Sequence, residues 1–196
     1  KHEMMAGELE DQNADVVFIA SGSKARPFHI PGTEKDHVFY AHEVYYDQEK
    51  LGDKVTVIGG GQIGMETAIW LAKLGKQVSV VEFTDQIMGG TKNTPIGDIE
   101  MAHLYTDYYD IHMYMNTKAS KITENSVEIE GVKDGSKEEI PADTVLIAVG
   151  YEPVNDIYPE FVKNTSVPEV YNVGDSNHVA NIYYAIHDAY ELANNI

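Results

Sequence analysis

Val55-Thr56-Val57-Ile58-Gly59-Gly60-Gly61-Gln62-Ile63-Gly64 opens the stretch that decides the fold, and it runs on to Val78-Ser79-Val80-Val81-Glu82. Val55 to Ile58 is a short apolar, β-branched run, which predicts a buried strand. Gly59 to Gly61 predicts a turn. From Ile63 to Leu74 the apolar positions Ala68, Leu71, Ala72 and Leu74 return at helical spacing, and Gly75-Lys76 ends the segment. Val78 to Val81 is apolar on both faces, as a parallel strand covered on two sides requires. Strand, turn, helix and strand in this order make a β-α-β unit.

Within that unit Gly59-Gly60-Gly61-Gln62-Ile63-Gly64 fits G-x-G-x-x-G. Glycine-rich turns are common, so the pattern alone says little; here it follows a strand, opens a helix and has an acid, Glu82, closing the next strand. That combination predicts a dinucleotide site. Gly59 allows the tight turn, Gly61 leaves room for a pyrophosphate to reach the backbone, and Gly64 lets helix and strand pack closely. The phosphates then meet amides at a helix N-terminus that carries about half a positive charge. Glu82 is placed to accept hydrogen bonds from the adenosine ribose and to repel a 2′-phosphate. Arg26, on a different loop, is the only arginine in the chain, so no arginine near Glu82 is available to grip that phosphate. The expected ligand is NAD(H) rather than NADP(H). The plain alternative is a packing turn with a solvated Glu82.

Outward from this unit, Asp15 to Ala20 predicts a buried strand leaving into Ser21-Gly22-Ser23. Residues 33–53 read as a polar segment with Tyr40, Val44 and Tyr45 as candidate buried positions and Gly52-Asp53 as a break, which predicts a linker with a short helix. After Glu82 the expectation is a loop at 84–94, a helix from 95 to 109 and a strand at 111–115. A three-strand antiparallel meander follows (118–123, 126–130, 137–140), with turns at Glu124-Asn125 and Asp134-Gly135, covering one face of the parallel sheet. Thr144 to Val149 predicts another buried strand, closed by Gly150. A proline-bearing loop leads to a last strand at 169–173. A helix at 181–193 carries Ile182, Ala185, Ile186, Ala189 and Leu192 on one stripe. The fold class is α/β, a Rossmann-like parallel sheet with helices on its faces and an antiparallel meander.

The 196 residues are 43% hydrophobic, enough for one full α/β domain with extra structure. With 14 basic and 32 acidic residues the formal charge is -18, which repels phosphate backbones and anionic lipid surfaces. Nucleic acid and membranes are therefore not expected partners, and any bound anion must be held locally. There is neither a membrane-span-length apolar run nor a secretory leader, so the cytoplasm is the expected compartment. The absence of cysteine excludes disulfides, redox pairs, thiolate nucleophiles and iron–sulfur ligation by this chain. The histidines show no metal-ligand spacing, so no metal is expected. Lys1 in place of an initiator methionine leads to the expectation of a piece of something longer.

Ala20-Ser21-Gly22-Ser23, Ile30-Pro31-Gly32, the Gly59 to Glu82 unit, Asp143-Thr144-Val145 through Gly150 with Pro153, and Gly174-Asp175 stand in one order. That order resembles the pyridine nucleotide-disulfide/FAD oxidoreductases over nearly the whole chain. The ending, Gly174-Asp175 followed by Ala185-Ile186-His187-Asp188, resembles the NAD/FAD half of Old Yellow Enzyme-type 2-enoate and 2,4-dienoyl-CoA reductases and related NADH oxidases. The resemblance implies an NAD(H) domain at 48–150 inserted in an FAD-type domain, whose returning segments are 1–47 and 151–196. It implies that the glycine-rich FAD cradle belongs ahead of the Ala20-Ser21-Gly22-Ser23 loop, beyond what residues 1–14 supply. FAD is thus expected of the intact NADH-dependent flavoprotein rather than of this incomplete chain alone. FMN and an iron–sulfur cluster would belong to missing domains, the FAD-binding and FMN-barrel portions being the implied partners; a homo-oligomer stays open.

By position, the resemblance assigns Asp175 to the flavin ribityl chain, Glu66 to the nicotinamide neighbourhood and Gly150 to the glycine that lets the nicotinamide pass its strand. Each has a plainer reading: a turn aspartate, a glutamate complementing the helix dipole, and a strand-ending glycine. Tyr151 departs from the arginine common after that glycine. His187 matches the A-I-H segment, but on a helix it reads first as a packing histidine. Tyr105, Tyr108 and Tyr109 read as a packing face, without chemistry. Two other functions compete: a non-catalytic NADH-sensing module, and a methyltransferase with a glycine-rich loop for S-adenosylmethionine. Pro31-Gly32 and Gly174-Asp175 speak against the second.

Overall fold

The computed structural model describes residues 4–46, 48–90 and 94–196. Lys1, the expected boundary after residue 47 and positions 91–93 of the expected loop lie outside the described residues. The chain forms two compact units, one from the residues up to Lys24 together with Tyr151–Ile196, the other Ala25–Gly150.

The larger unit holds a five-stranded, all-parallel sheet. Its strands are β3 (Val38–Tyr40), β4 (Lys54–Ile58), β5 (Gln77–Val81), β6 (His112–Tyr114) and β10 (Thr144–Ile147), in the order β3-β10-β4-β5-β6. Helix α1 (Gln62–Lys73) joins β4 to β5 and helix α2 (Ile96–Tyr108) precedes β6. The meander is β7 (Thr117–Ile122), β8 (Ser126–Gly131) and β9 (Lys137–Pro141), antiparallel throughout.

Alternation along each strand divides the core. Val55 and Val57 of β4, Val78 and Val80 of β5 and Leu146 of β10 pack with Met65, Ala68 and Leu71 of α1 and Ile99 and Ala102 of α2. Ile58, Val81 and Val145 point the other way and pack with Ala119, Ile122, Val127, Ile129 and Ile140 of the meander. The meander covers one sheet face, as its pattern predicts.

One expectation needs correction here. Residues 33–53 are not merely a linker: Val38–Tyr40 adds a strand to the sheet edge, and the 3₁₀ turns Ala41–Tyr46 and Gln48–Lys50 follow, with Val44 and Leu51 buried in the core. The larger compact unit accordingly begins at Ala25.

The smaller unit contains β1 (Val16–Ile19) paired in parallel with β12 (Glu169–Asn172). A short pair links β2 (Ser23–Ala25) to β11 (Tyr151–Pro153), where the chain passes from one unit to the other. Helix α3 (Ile157–Asn164) occupies the segment expected as a loop, and α4 (Ile182–Ala193) is the expected last helix. The apolar stripe of α4 stays open, Ile182 being 79% and Ile186 61% exposed.

Candidate functional site

Parallel strands of an open sheet gather their ends on one edge, and ligands bind where the chain order reverses. The chain runs from β4 to β5 and β6 on one side, then returns to β10 on the other. The β4–β10 boundary is that reversal, and the turn after β4 holds Gly59, Gly60, Gly61, Gln62, Ile63 and Gly64.

Each glycine answers to a different neighbour. Gly59 has φ of +107°, and a Cβ on it would meet the Ala148 carbonyl oxygen at 2.4 Å. On Gly64 a Cβ would lie 1.9 Å from the Gly59 carbonyl oxygen and 3.3 Å from the Ala148 Cβ. Both glycines are therefore demanded by the packing of α1 against β4 and the end of β10. A Cβ on Gly60 would press on the Glu82 side chain at 3.1–3.2 Å. Gly61 is unlike these: its φ of -66° suits any residue, and a Cβ on it would meet nothing within 4 Å. The protein's own packing does not ask for glycine at 61, yet the space before it is open.

Gly61 is also the N-cap of α1 and supplies no side-chain cap. Amides of the first helical turn have no acceptor within the helix, so the α1 N-terminus presents donors and a positive partial charge to that open space. Gly59 N–H donates to the Val81 carbonyl (2.8 Å) and the Gly60 carbonyl accepts from Met88 N–H (2.7 Å), which fixes the turn.

Glu82, half-buried just past β5, is brought against this turn. Its Oε2 accepts from Gly60 N–H at 2.7 Å. Oε1 accepts from the backbone N–H of Thr84 at 2.8 Å and from its hydroxyl at 2.7 Å. Thr84 has no sequence signal beyond being a hydroxyl residue two places from the acid. Gly150, exposed, adopts φ of +98°, which favours glycine, and its carbonyl accepts from Arg26 N–H at 3.0 Å.

Glu66 stands apart from this constellation. It lies beyond the first turn of α1, is exposed, and accepts from the Gln62 side-chain amide at 3.0 Å. With Met65, Ile69, Trp70 and Tyr105 it lines a groove between α1 and α2. The reading of Glu66 as a first-turn partner of the dipole is corrected by this placement.

In the smaller unit Asp175 follows β12, with its Oδ2 accepting from the Ser23 hydroxyl (2.9 Å) and its Oδ1 from Ala180 N–H (3.1 Å). The sequence did not single out Ser23 or Ala180 for this role. Asn181 caps α4 by accepting from Tyr184 N–H at 3.2 Å. His187 packs against Tyr183 with the rings tilted by 43° and their centroids 4.1 Å apart. Tyr108 is 76% exposed, and Lys73 sits 4.8 Å over the Tyr105 ring. Among the described residues no group of three or more His, Asp or Glu is arranged to hold a metal ion, and no helix is long and apolar enough to cross a membrane.

Comparison with known proteins now joins this geometry. The model of the pyridine nucleotide-disulphide oxidoreductase family matches residues 1–191. The chain belongs to that family. Among curated members it is 34% identical to a cinnamate reductase of Clostridium sporogenes, over 96% of this chain and 27% of that protein. It is 36% identical to a bilirubin reductase of Mediterraneibacter gnavus over 93% and 28%, and 29% identical to an NADH oxidase of Thermoanaerobacter brockii over 91% and 27%. The solved structure of a 2-naphthoyl-CoA reductase in complex with 2-naphthoyl-CoA superposes with a TM-score of 0.84 at 31% identity, covering 99% of this chain and 29% of that one. The fold is shared as well with a Lactococcus lactis thioredoxin reductase, TM-score 0.71 at 23% identity. The chain spans little more than a quarter of the curated relatives named above. Its family uses flavin and pyridine nucleotide in oxidoreduction, and the resemblance to enoate reductases and NADH oxidases seen in the sequence agrees with these relatives.

Proposed function

We propose that this chain is the NAD(H)-binding electron-transfer module of a larger flavin-dependent oxidoreductase, and that it positions NADH for hydride transfer to FAD. The observation that carries the reading is Gly61, a glycine that nothing in the protein's packing requires, opening on vacant space at a helix N-terminus beside an anchored glutamate. A nucleotide pyrophosphate fits there. Gly59 to Gly64 would hold it through backbone amides, Glu82 would take the adenosine ribose hydroxyls, and Gly150 would leave room for the nicotinamide half past the end of β10. Glu66, on the α1–α2 groove, is assigned to the nicotinamide by family position alone.

When bound, NADH supplies the hydride and FAD accepts it; the chain's residues orient the nucleotide and keep water away. Asp175, held by Ser23 and Ala180, supports a flavin role for the start of the smaller unit. The short span relative to its relatives supports further parts in a parent protein; that these hold the FAD cradle, an FMN barrel and an iron–sulfur cluster, in a cytoplasmic protein, is proposed from the family resemblance alone. The open stripe on α4 is consistent with such a partner. Titration of the purified chain with NADH and with NADPH tests the reading: NADH is expected to bind at least tenfold more tightly, and equal affinities contradict it.

A further inference from the structure

The Glu82 carboxylate is not left to find its own position. Three donors fix it: Gly60 N–H on one oxygen, Thr84 N–H and Thr84 hydroxyl on the other. Thr84 is itself anchored independently of Glu82. Its carbonyl accepts from Asn116 N–H at 2.8 Å, from the loop after β6. Its hydroxyl also lies 2.9 Å from the Gln86 carbonyl and 3.3 Å from Gln86 N–H. One hydroxyl carries one proton, so it donates either to Glu82 or to Gln86, and both acceptors are within reach with the side chain at rest.

We infer that Thr84 is a positioning residue for nucleotide selection, holding Glu82 in its ribose-accepting orientation through its backbone amide and its hydroxyl. This rests on Glu82 being the ribose acceptor. A carboxylate has about four acceptor positions, and the three donors leave one for the ribose while fixing the plane of the group. A free glutamate would lose rotamer freedom on binding; here that ordering is already in place. The same fixed negative charge is held where a 2′-phosphate would sit.

The test measures NADH and NADPH affinity for the full chain and for Thr84→Val, Thr84→Ala, Thr84→Ser and Glu82→Gln. Thr84 is exposed, so the variants are expected to fold, and each thermal midpoint is recorded. Loss of the hydroxyl in Thr84→Val and Thr84→Ala is expected to weaken NADH about five- to tenfold with little change for NADPH. Thr84→Ser is expected to keep the ratio within about twofold, a rescue that general packing damage would not give. If Glu82→Gln collapses the NADH/NADPH ratio while both hydroxyl-less variants keep it, the Thr84 inference is overturned and the ribose reading stands. If Glu82→Gln also leaves the ratio unchanged, the ribose reading itself fails.

Discussion

Gly60 and Glu82 are joined by a 2.7 Å hydrogen bond from amide to carboxylate, and no side chain on Gly60 stands between them. The bond ties the turn that would carry a pyrophosphate to the acid that would read the ribose. A double change, Glu82→Ser with Phe83→Arg, removes the acid and offers a cation from a side chain that is 60% exposed. It is expected to narrow the NADH/NADPH affinity gap at least tenfold, measured by calorimetry. An unchanged gap would place the ribose elsewhere.

Gly61 and Gly64 separate ligand space from packing space. Gly61→Ala puts a methyl into the open volume at an ordinary φ; its stability is expected to stay within about 1 kcal/mol of the parent while NADH affinity falls at least tenfold. Gly64→Ala drives a methyl onto the Gly59 carbonyl and is expected to cost about 3 kcal/mol or more of stability. Thermal melts alongside NADH titrations check the pair.

Thr56, in the middle of β4, is fully buried, and its hydroxyl has no hydrogen-bond partner among the described residues. Replacing it with the near-isosteric valine removes an unsatisfied polar atom. Thr56→Val is expected to stabilise the protein by about 1 kcal/mol, seen as a rise of about 2–4 °C in the thermal midpoint.

Much of this was legible because local pattern and tertiary role coincide. Val55 to Glu82 reads as strand, turn, helix and strand since most of the apolar residues that mark the period also fill the core; Leu74 is the exception, an exposed C-cap past the end of α1. Val38–Tyr40 was missed although Val, Phe and Tyr favour strands: a run of three flanked by charged and polar residues is too short to stand out, and it pairs because β10 offers it an edge. Helix α3 was hidden by Pro159, which reads as a breaker but sits in the helix's first turn, where a missing N–H costs little. The site followed the same division. Gly59, Gly61, Gly64 and Glu82 announce themselves by spacing, whereas Thr84 acts through hydrogen bonds that only the folded loop brings together.

Lys35 and Glu124 form an ion pair between the loop after Pro31-Gly32 and the β7–β8 turn. Lys35 holds the Glu124 carboxyl below its ordinary value of 4.5, and Glu124 raises the Lys35 ammonium above its ordinary 10.5. The carboxylate's contribution to stability is present above its unfolded value and lost as pH falls through the lowered one; the ammonium's is present below its unfolded value and lost as pH rises through the raised one. Lys35→Gln is expected to melt slightly lower than the parent from about pH 5 to 10. The gap should close in acid and shrink with salt, and it stays small because the Glu124 side chain is 82% exposed. Carbon-detected NMR titration of Glu124 is expected to show its midpoint rising in the variant.

The most direct measurement is a crystal structure of the chain with NADH. The account expects the pyrophosphate on the amides of Gly61, Gln62 and Ile63, with the adenosine ribose against Glu82. A nucleotide bound away from residues 59–64, or ribose hydroxyls out of reach of the Glu82 carboxylate, would contradict it.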